Sequence, residues 1–215
     1  MVEIKFCGLT RPDDARLAGE LGASYIGVIF AGGPRHQTPD AARRVLDGCT
    51  TEAKRVGVMA RSSVDEMARL VDTAALDVVQ LHGEPTPAEV EDVRRATGAE
   101  VWAVIRVADA LPVGAEALFA SADAVVLDAK VDGMLGGTGI ALPWQRIAAE
   151  VDTVRRGGRL VLAGGLRPEN LATATSILSP DVVDVSSGVE SAPGIKDHAR
   201  MRAFAAAAAT HSEKR

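Results

Sequence analysis

A thiol, a carboxyl, an imidazole and a guanidinium stand where this chain changes from apolar runs to turns. Cys7 ends the run Glu3-Ile4-Lys5-Phe6 just before Gly8, His82 follows Val78-Val79-Gln80-Leu81, and Asp128 follows Ala124-Val125-Val126-Leu127. Arg35 lies in a glycine-rich turn, Gly32-Gly33-Pro34-Arg35-His36. A thiol and a carboxyl can exchange protons with a bound molecule, and an arginine fork can hold a carboxylate. Each also has a plain structural reading. Buried cysteines commonly act as small hydrophobes, His82 can be a hydrogen-bonded core histidine, Asp128 a loop or capping residue, and Arg35 a solvated charge. Glycines recur after three successive apolar runs, in Gly136-Gly137-Thr138-Gly139, Gly164-Gly165 and Ser187-Gly188. Such loops serve either as tight turns or as sites where backbone N–H groups converge on a phosphate.

The elements that must carry these groups alternate. Apolar, β-type runs fall at 3–7, 25–30, 55–59, 76–81, 101–107, 124–128, 159–163 and 182–185. Helical spacing or capping signals fall between them at 13–21, 40–46, 62–71, 86–96, 111–120, 143–150 and 168–178, with a last helix at 197–209. Pro12 and the Thr86-Pro87 pair mark helix starts, while Gly22 and Gly98 mark ends. Strict strand–helix alternation implies a parallel sheet. Eight units in 215 residues favour one α/β domain, a (β/α)8 TIM barrel over residues 1–215, over an open doubly wound sheet. In such a barrel the strand carboxyl ends form the active face, and a phosphate is commonly held after the seventh and eighth strands beside a short extra helix. The stretch 187–195 is expected to supply that helix, and the tail 211–215 to fray.

Alternation along the first strand turns Lys5 inward together with Cys7, and Ile4 and Phe6 toward the helices. An inward lysine needs a partner. Asp184 on the eighth strand is the expected one, in a polar layer that also takes Gln80 and Arg106, and Lys5 is expected to favour the Cys7 thiolate.

Composition narrows the classes. The net charge of −5 and 3% aromatic content give no footprint for nucleic acid or an anionic membrane surface. No apolar run reaches the ~20 residues of a membrane span, and Met-Val-Glu-Ile-Lys opens without the apolar stretch of a signal peptide. Two cysteines, Cys7 and Cys49, form no disulfide framework, which fits a reducing, cytoplasmic setting. The four histidines show no metal-ligand spacing, so no metal is expected.

Taken together, Lys5-Phe6-Cys7-Gly8-Leu9-Thr10-Arg11-Pro12, Val79-Gln80-Leu81-His82-Gly83, Leu127-Asp128 with Gly136-Gly137-Thr138-Gly139, Ala163-Gly164-Gly165-Leu166, and Asp184 through Glu190 with Gly194-Ile195-Lys196-Asp197 resemble phosphoribosylanthranilate isomerase. The resemblance runs in order from residue 5 to 197. It implies a metal-free and cofactor-free barrel enzyme of tryptophan biosynthesis, a monomer or homodimer acting on a small phosphosugar. It implies Cys7 as general base, Asp128 as general acid, and Arg35 against the anthranilate carboxylate. His82, Gly137, Thr138, Gly139, Gly164, Gly165, Ser187 and Gly188 complete the expected substrate contacts, the glycine loops holding phosphate. The chain departs from the family at Gly33-Pro34-Arg35-His36, where the usual reading is Ser-Pro-Arg followed by an apolar residue. Asp128 must be protonated to act first, so its pKa is expected to be raised by enclosure and nearby phosphate charge. The histidine-pathway aminoaldose isomerase, with a two-aspartate design, is disfavoured by the cysteine. A metal-dependent phosphosugar epimerase is disfavoured by the scattered histidines. A silent phosphosugar-binding barrel is disfavoured by the joint presence of Cys7 and Asp128.

Overall fold

The computed structural model describes residues 2–60, 62–129 and 142–210. Eight parallel strands close in sequence order: β1 (Glu3–Phe6), β2 (Tyr25–Ile29), β3 (Lys54–Met59), β4 (Val78–Leu81), β5 (Glu100–Val107), β6 (Ala124–Ala129), β7 (Leu160–Leu162) and β8 (Val182–Val185). Their helices are α1 (Pro12–Glu20), α2 (Pro39–Leu46), α3 (Val64–Ala74), α4 (Pro87–Thr97), α5 (Ala115–Ser121), α6 (Trp144–Arg155), α7 (Leu171–Leu178) and α8 (His198–Thr210). The barrel inferred from alternation is therefore the observed fold, and β1 pairs β8 to close it.

Helix starts follow local chemistry. Ser63 accepts the Glu66 N–H at 3.3 Å, and Thr86 and Glu89 form a reciprocal capping box. Several boundaries differ from expectation. α5 begins at Ala115 rather than 111, because Gly114 takes a left-handed φ of +87° that no α-helix running through it could hold. α7 begins at Leu171 rather than 168: Asn170 caps the preceding turn through the Arg167 N–H and donates to the Gly165 carbonyl. α6 runs five residues past 150, since Ile147 and Val151 bury one face of it against the barrel.

The two faces of the strands build two cores. Phe6 points to the helices and meets Phe204 of α8 edge-on, with ring centres 6.1 Å apart. Inside the barrel, Val56, Val78, Val104, Val126, Val161 and Val182 pack around Tyr25 and Trp102, whose rings lie 4.7 Å apart. This plug fills the barrel interior with side chains. The short extra helix expected within 187–195 is a single 3-10 turn, Ser187–Val189, and a hairpin of β9 (Glu190–Ala192) and β10 (Ile195–Lys196) takes up the rest of the stretch. Its two strands pair Ala192 with Ile195 and, after a one-residue shift, Glu190 with Lys196, and Pro193-Gly194 makes the turn.

Candidate active site

Above the aromatic plug, a cavity of about 420 Å³ opens among the carboxyl ends of the strands. Cys7 lies one residue beyond β1, its N–H still donating to the Val185 carbonyl at 2.9 Å, and Asp128 lies near the end of β6. Both line the cavity, and both are buried, at 6% and 8% exposure. β1 and β6 stand three strands apart around an eight-strand ring, so the thiol and the carboxyl approach the cavity from well-separated sides. Arg35, His82, Gly164, Gly165 and Ser187 line the same space. Gly137, Thr138 and Gly139 lie outside the described residues.

Gly188 is not on the cavity wall. It sits in the 3-10 turn, where a Cβ would overlap the Leu166 carbonyl oxygen, so its part is to let the loop after β8 press against the loop after β7. Gly164 is similarly constrained. Its φ is +76°, and a Cβ there would meet the Ala129 nitrogen at 2.7 Å and Asp128 Oδ1 at 3.1 Å. The bare backbone at this point keeps room beside the acid.

Lys5 points inward as alternation requires. It is fully buried, stands level with Asp184 across the β1–β8 ladder, and donates to Asp184 Oδ2 at 2.7 Å. Burial presses its ammonium toward neutrality, but Asp184 and Cys7 outweigh that effect and hold its pKa above the ordinary value. Lys5 favours the Cys7 thiolate as expected, but it does not decide the thiol's net shift. Burial is the largest influence on the thiol and pushes it up, Lys5 and Lys196 pull it back, and Asp184 pushes it up again. The net shift is upward.

Asp128 behaves as expected, with its pKa raised to about 6. Burial is the main cause, and Asp184 adds to it. The Ala129 N–H, which donates to Oδ1 at 2.9 Å, works against it, as do the charges of Arg106 and Lys5. His82 Nε2 stands 3.8 Å from Asp128 Oδ2. The imidazole thus belongs to the acid's surroundings as well as to the cavity wall.

Arg35 reaches the cavity from the loop after β2. That loop makes a tight turn in which the His36 N–H donates to the Gly33 carbonyl at 3.1 Å and His36 bridges back to Ile29. The guanidinium is forked onto Glu190, Nε to Oε1 at 2.9 Å and Nη2 to Oε2 at 2.7 Å. Glu190 also accepts from Lys196 Nζ at 2.8 Å. Sequence reasoning gave Glu190 and Lys196 no role beyond their place in the last motif. Two opposite charges flanking a Pro-Gly turn are the available signal, a hairpin with a cross-strand ion pair.

Among the described residues no group of three or more His, Cys, Asp or Glu side chains is placed to hold a metal ion, and no helix is long and apolar enough to cross a membrane.

Fold and cavity together define a (β/α)8-barrel enzyme whose site opens at the carboxyl ends of its strands. The model of the N-(5'-phosphoribosyl)anthranilate (PRA) isomerase family matches residues 4–207. The N-(5'-phosphoribosyl)anthranilate isomerase of Citrifermentans bemidjiense is 41% identical over 213 residues, covering 97% of each chain. The crystal structure of the phosphoribosyl anthranilate isomerase of Thermus thermophilus superposes with a TM-score of 0.85 at 36% identity, over 97% of this chain and 99% of that one. A phosphoribosyl anthranilate isomerase in complex with reduced 1-(o-carboxyphenylamino)-1-deoxyribulose 5-phosphate gives 0.82 at 30% identity, over 98% of this chain and 100% of that one. The chain belongs to the phosphoribosylanthranilate isomerase family, a family of aldose–ketose isomerases.

Proposed function

We propose that this chain converts N-(5'-phosphoribosyl)anthranilate to 1-(2-carboxyphenylamino)-1-deoxyribulose 5-phosphate, a step of tryptophan biosynthesis, with Asp128 as general acid and Cys7 as general base. The observation that carries the reading is a carboxyl raised to about 6 facing the same cavity as a buried thiol. Opening the furanose ring needs a proton on its ring oxygen as the C1–O bond breaks. The anilino nitrogen's lone pair then forms C1=N, and that electron sink acidifies C2–H. A base takes the C2 proton, the C–H electrons move into a C1–C2 enamine as the iminium is neutralised, and tautomerisation yields the ketone. One acid and one base on different strands meet this sequence.

The acid assignment follows from protonation. With a pKa of about 6, Asp128 is protonated in roughly one molecule in ten at pH 7, against roughly one in a thousand for an ordinary aspartate. Burial therefore raises the supply of competent acid by about two orders of magnitude. Gly164, Gly165 and Ser187 offer backbone and hydroxyl donors for the phosphate, and Arg35 a cation for the anthranilate carboxylate. His82, beside Asp128, completes the substrate-facing set. The test is the loss of phosphoribosylanthranilate fluorescence on adding purified protein. Turnover cut on the order of 10²-fold or more in Cys7→Ala and in Asp128→Ala supports the reading, and full turnover in either variant removes that residue's role. No turnover by the parent protein favours a silent phosphosugar-binding barrel.

A further inference from the structure

Three sets of ionised side chains surround the end of β1, and they do not balance equally. Beneath Cys7, Lys5 and Asp184 pair one to one at 2.7 Å. Farther out, Arg11 forks onto Asp14 with bonds of 2.9 and 2.7 Å, again one to one, and His198 Nε2 lies 2.9 Å from the same carboxylate. The third set is Arg35, Lys196 and Glu190, two cations on one carboxylate. The Lys196 side chain is fully buried, and its remaining acceptors are the neutral carbonyl and hydroxyl oxygens of Ser186 at 3.1 and 3.5 Å. One positive charge is left over among the side chains of this cluster, shared between the fully buried Lys196 and Arg35 on the cavity wall.

That surplus lies against the thiol's own backbone. Ser186 follows the Val185 carbonyl that accepts the Cys7 N–H. A Cβ on Gly8 would come within 2.8 Å of Arg35 Cδ and 2.9 Å of Ser186 Oγ, so both side chains pack on the residue next to Cys7. We propose that the Cys7 thiolate is the missing counter-charge of the Arg35–Glu190–Lys196 cluster, which makes Lys196 a positioning residue for the thiol. A buried ion without a partner is costly, and each charge lowers the cost of the other. The directions of the shifts agree. Burial pushes Lys196 down and Cys7 up, while each of the two charges opposes the other's shift. The other groups facing Cys7 are Lys5 and Asp184 from below, with Asp128 and His82 across the cavity.

The inference rests on the reading of Cys7 as general base only for its consequence in turnover. Its test needs no substrate. The rate of iodoacetamide alkylation of Cys7 is followed against pH in the full chain carrying Cys49→Ala. Lys196→Met removes the surplus charge and is expected to raise the alkylation midpoint by about one pH unit. Glu190→Gln adds to the surplus and is expected to lower it by a similar amount, while Lys196→Arg keeps the parent midpoint. A merely structural hairpin would move Lys196→Met and Glu190→Gln the same way, by loosening the cover over the thiol. Midpoints that shift in the same direction, or not at all, overturn the proposal. If Lys196→Met does not fold, the near-isosteric Glu190→Gln decides alone, and an unchanged or raised midpoint there refutes it. The base assignment is tested separately by the turnover of Cys7→Ala, so either idea can fail without the other.

Discussion

Asp128→Asn is expected to stabilise this protein, by an amount that grows with pH. The carboxyl has a pKa of about 6 in the folded chain against an ordinary 3.8. A group raised on folding contributes its full stability below the unfolded value and loses it as pH rises through the folded one. At pH 8 the buried carboxylate is ionised, and its desolvation costs folding about 3 kcal/mol relative to a group that does not titrate. At pH 5 the folded carboxyl is still mostly protonated, and the cost is about 1.6 kcal/mol. Asn carries no charge at either pH and has an oxygen that can accept the Ala129 N–H in place of Oδ1. Its steric effect is the same at both pH values, so the advantage of the variant should grow by about 1.4 kcal/mol from pH 5 to pH 8. Urea titrations of both proteins at both pH values measure it as a difference in midpoint at common slope. An advantage that does not change with pH, or one that shrinks as pH rises, would refute the claim that burial of this carboxyl sets its pKa.

Cys7→Ala and Asp128→Ala should each reduce turnover on the order of 10²–10⁴-fold while leaving the circular dichroism spectrum of the folded chain close to the parent, whereas Cys49→Ala should turn over at the parent rate. Lys5→Met strands Asp184 as a buried, unpaired carboxylate and should cost about 3–5 kcal/mol in a urea melt. Adding Asp184→Asn to that variant should recover a large part of the loss, and no recovery would mean that the pair is not what holds Lys5. Gly188→Ala should lower stability by about 1–3 kcal/mol, because the added methyl overlaps the Leu166 carbonyl and the turn after β8 must shift.

Alternation of apolar runs with helical spacing was enough to read the barrel from the sequence, because a parallel strand buried on both faces and a one-sided helix leave different periods in the chain. The same period of two turned Lys5 inward and paired it with Asp184, as the ladder between β1 and β8 bears out. It also set Cys7 and Asp128 at strand ends. Other features depend on contacts between distant segments, and no local pattern encodes them. The hairpin that follows the short 3-10 turn after β8 is held by Glu190, which gathers Arg35 from 155 residues away. The net direction of the Cys7 shift is likewise set by packing rather than by local pattern. The sequence shows a lysine two residues from the thiol, but only the packed barrel decides that desolvation outweighs that lysine's charge. For Asp128 the two agree, since enclosure at a strand end is itself a consequence of the fold that the pattern predicts. Residue types and spacing thus determined the architecture and the candidate acid and thiol. Which charges meet, and how strongly burial bears on each, is a property of the three-dimensional arrangement, because solvation and Coulomb energy depend on distances between residues that the sequence keeps far apart.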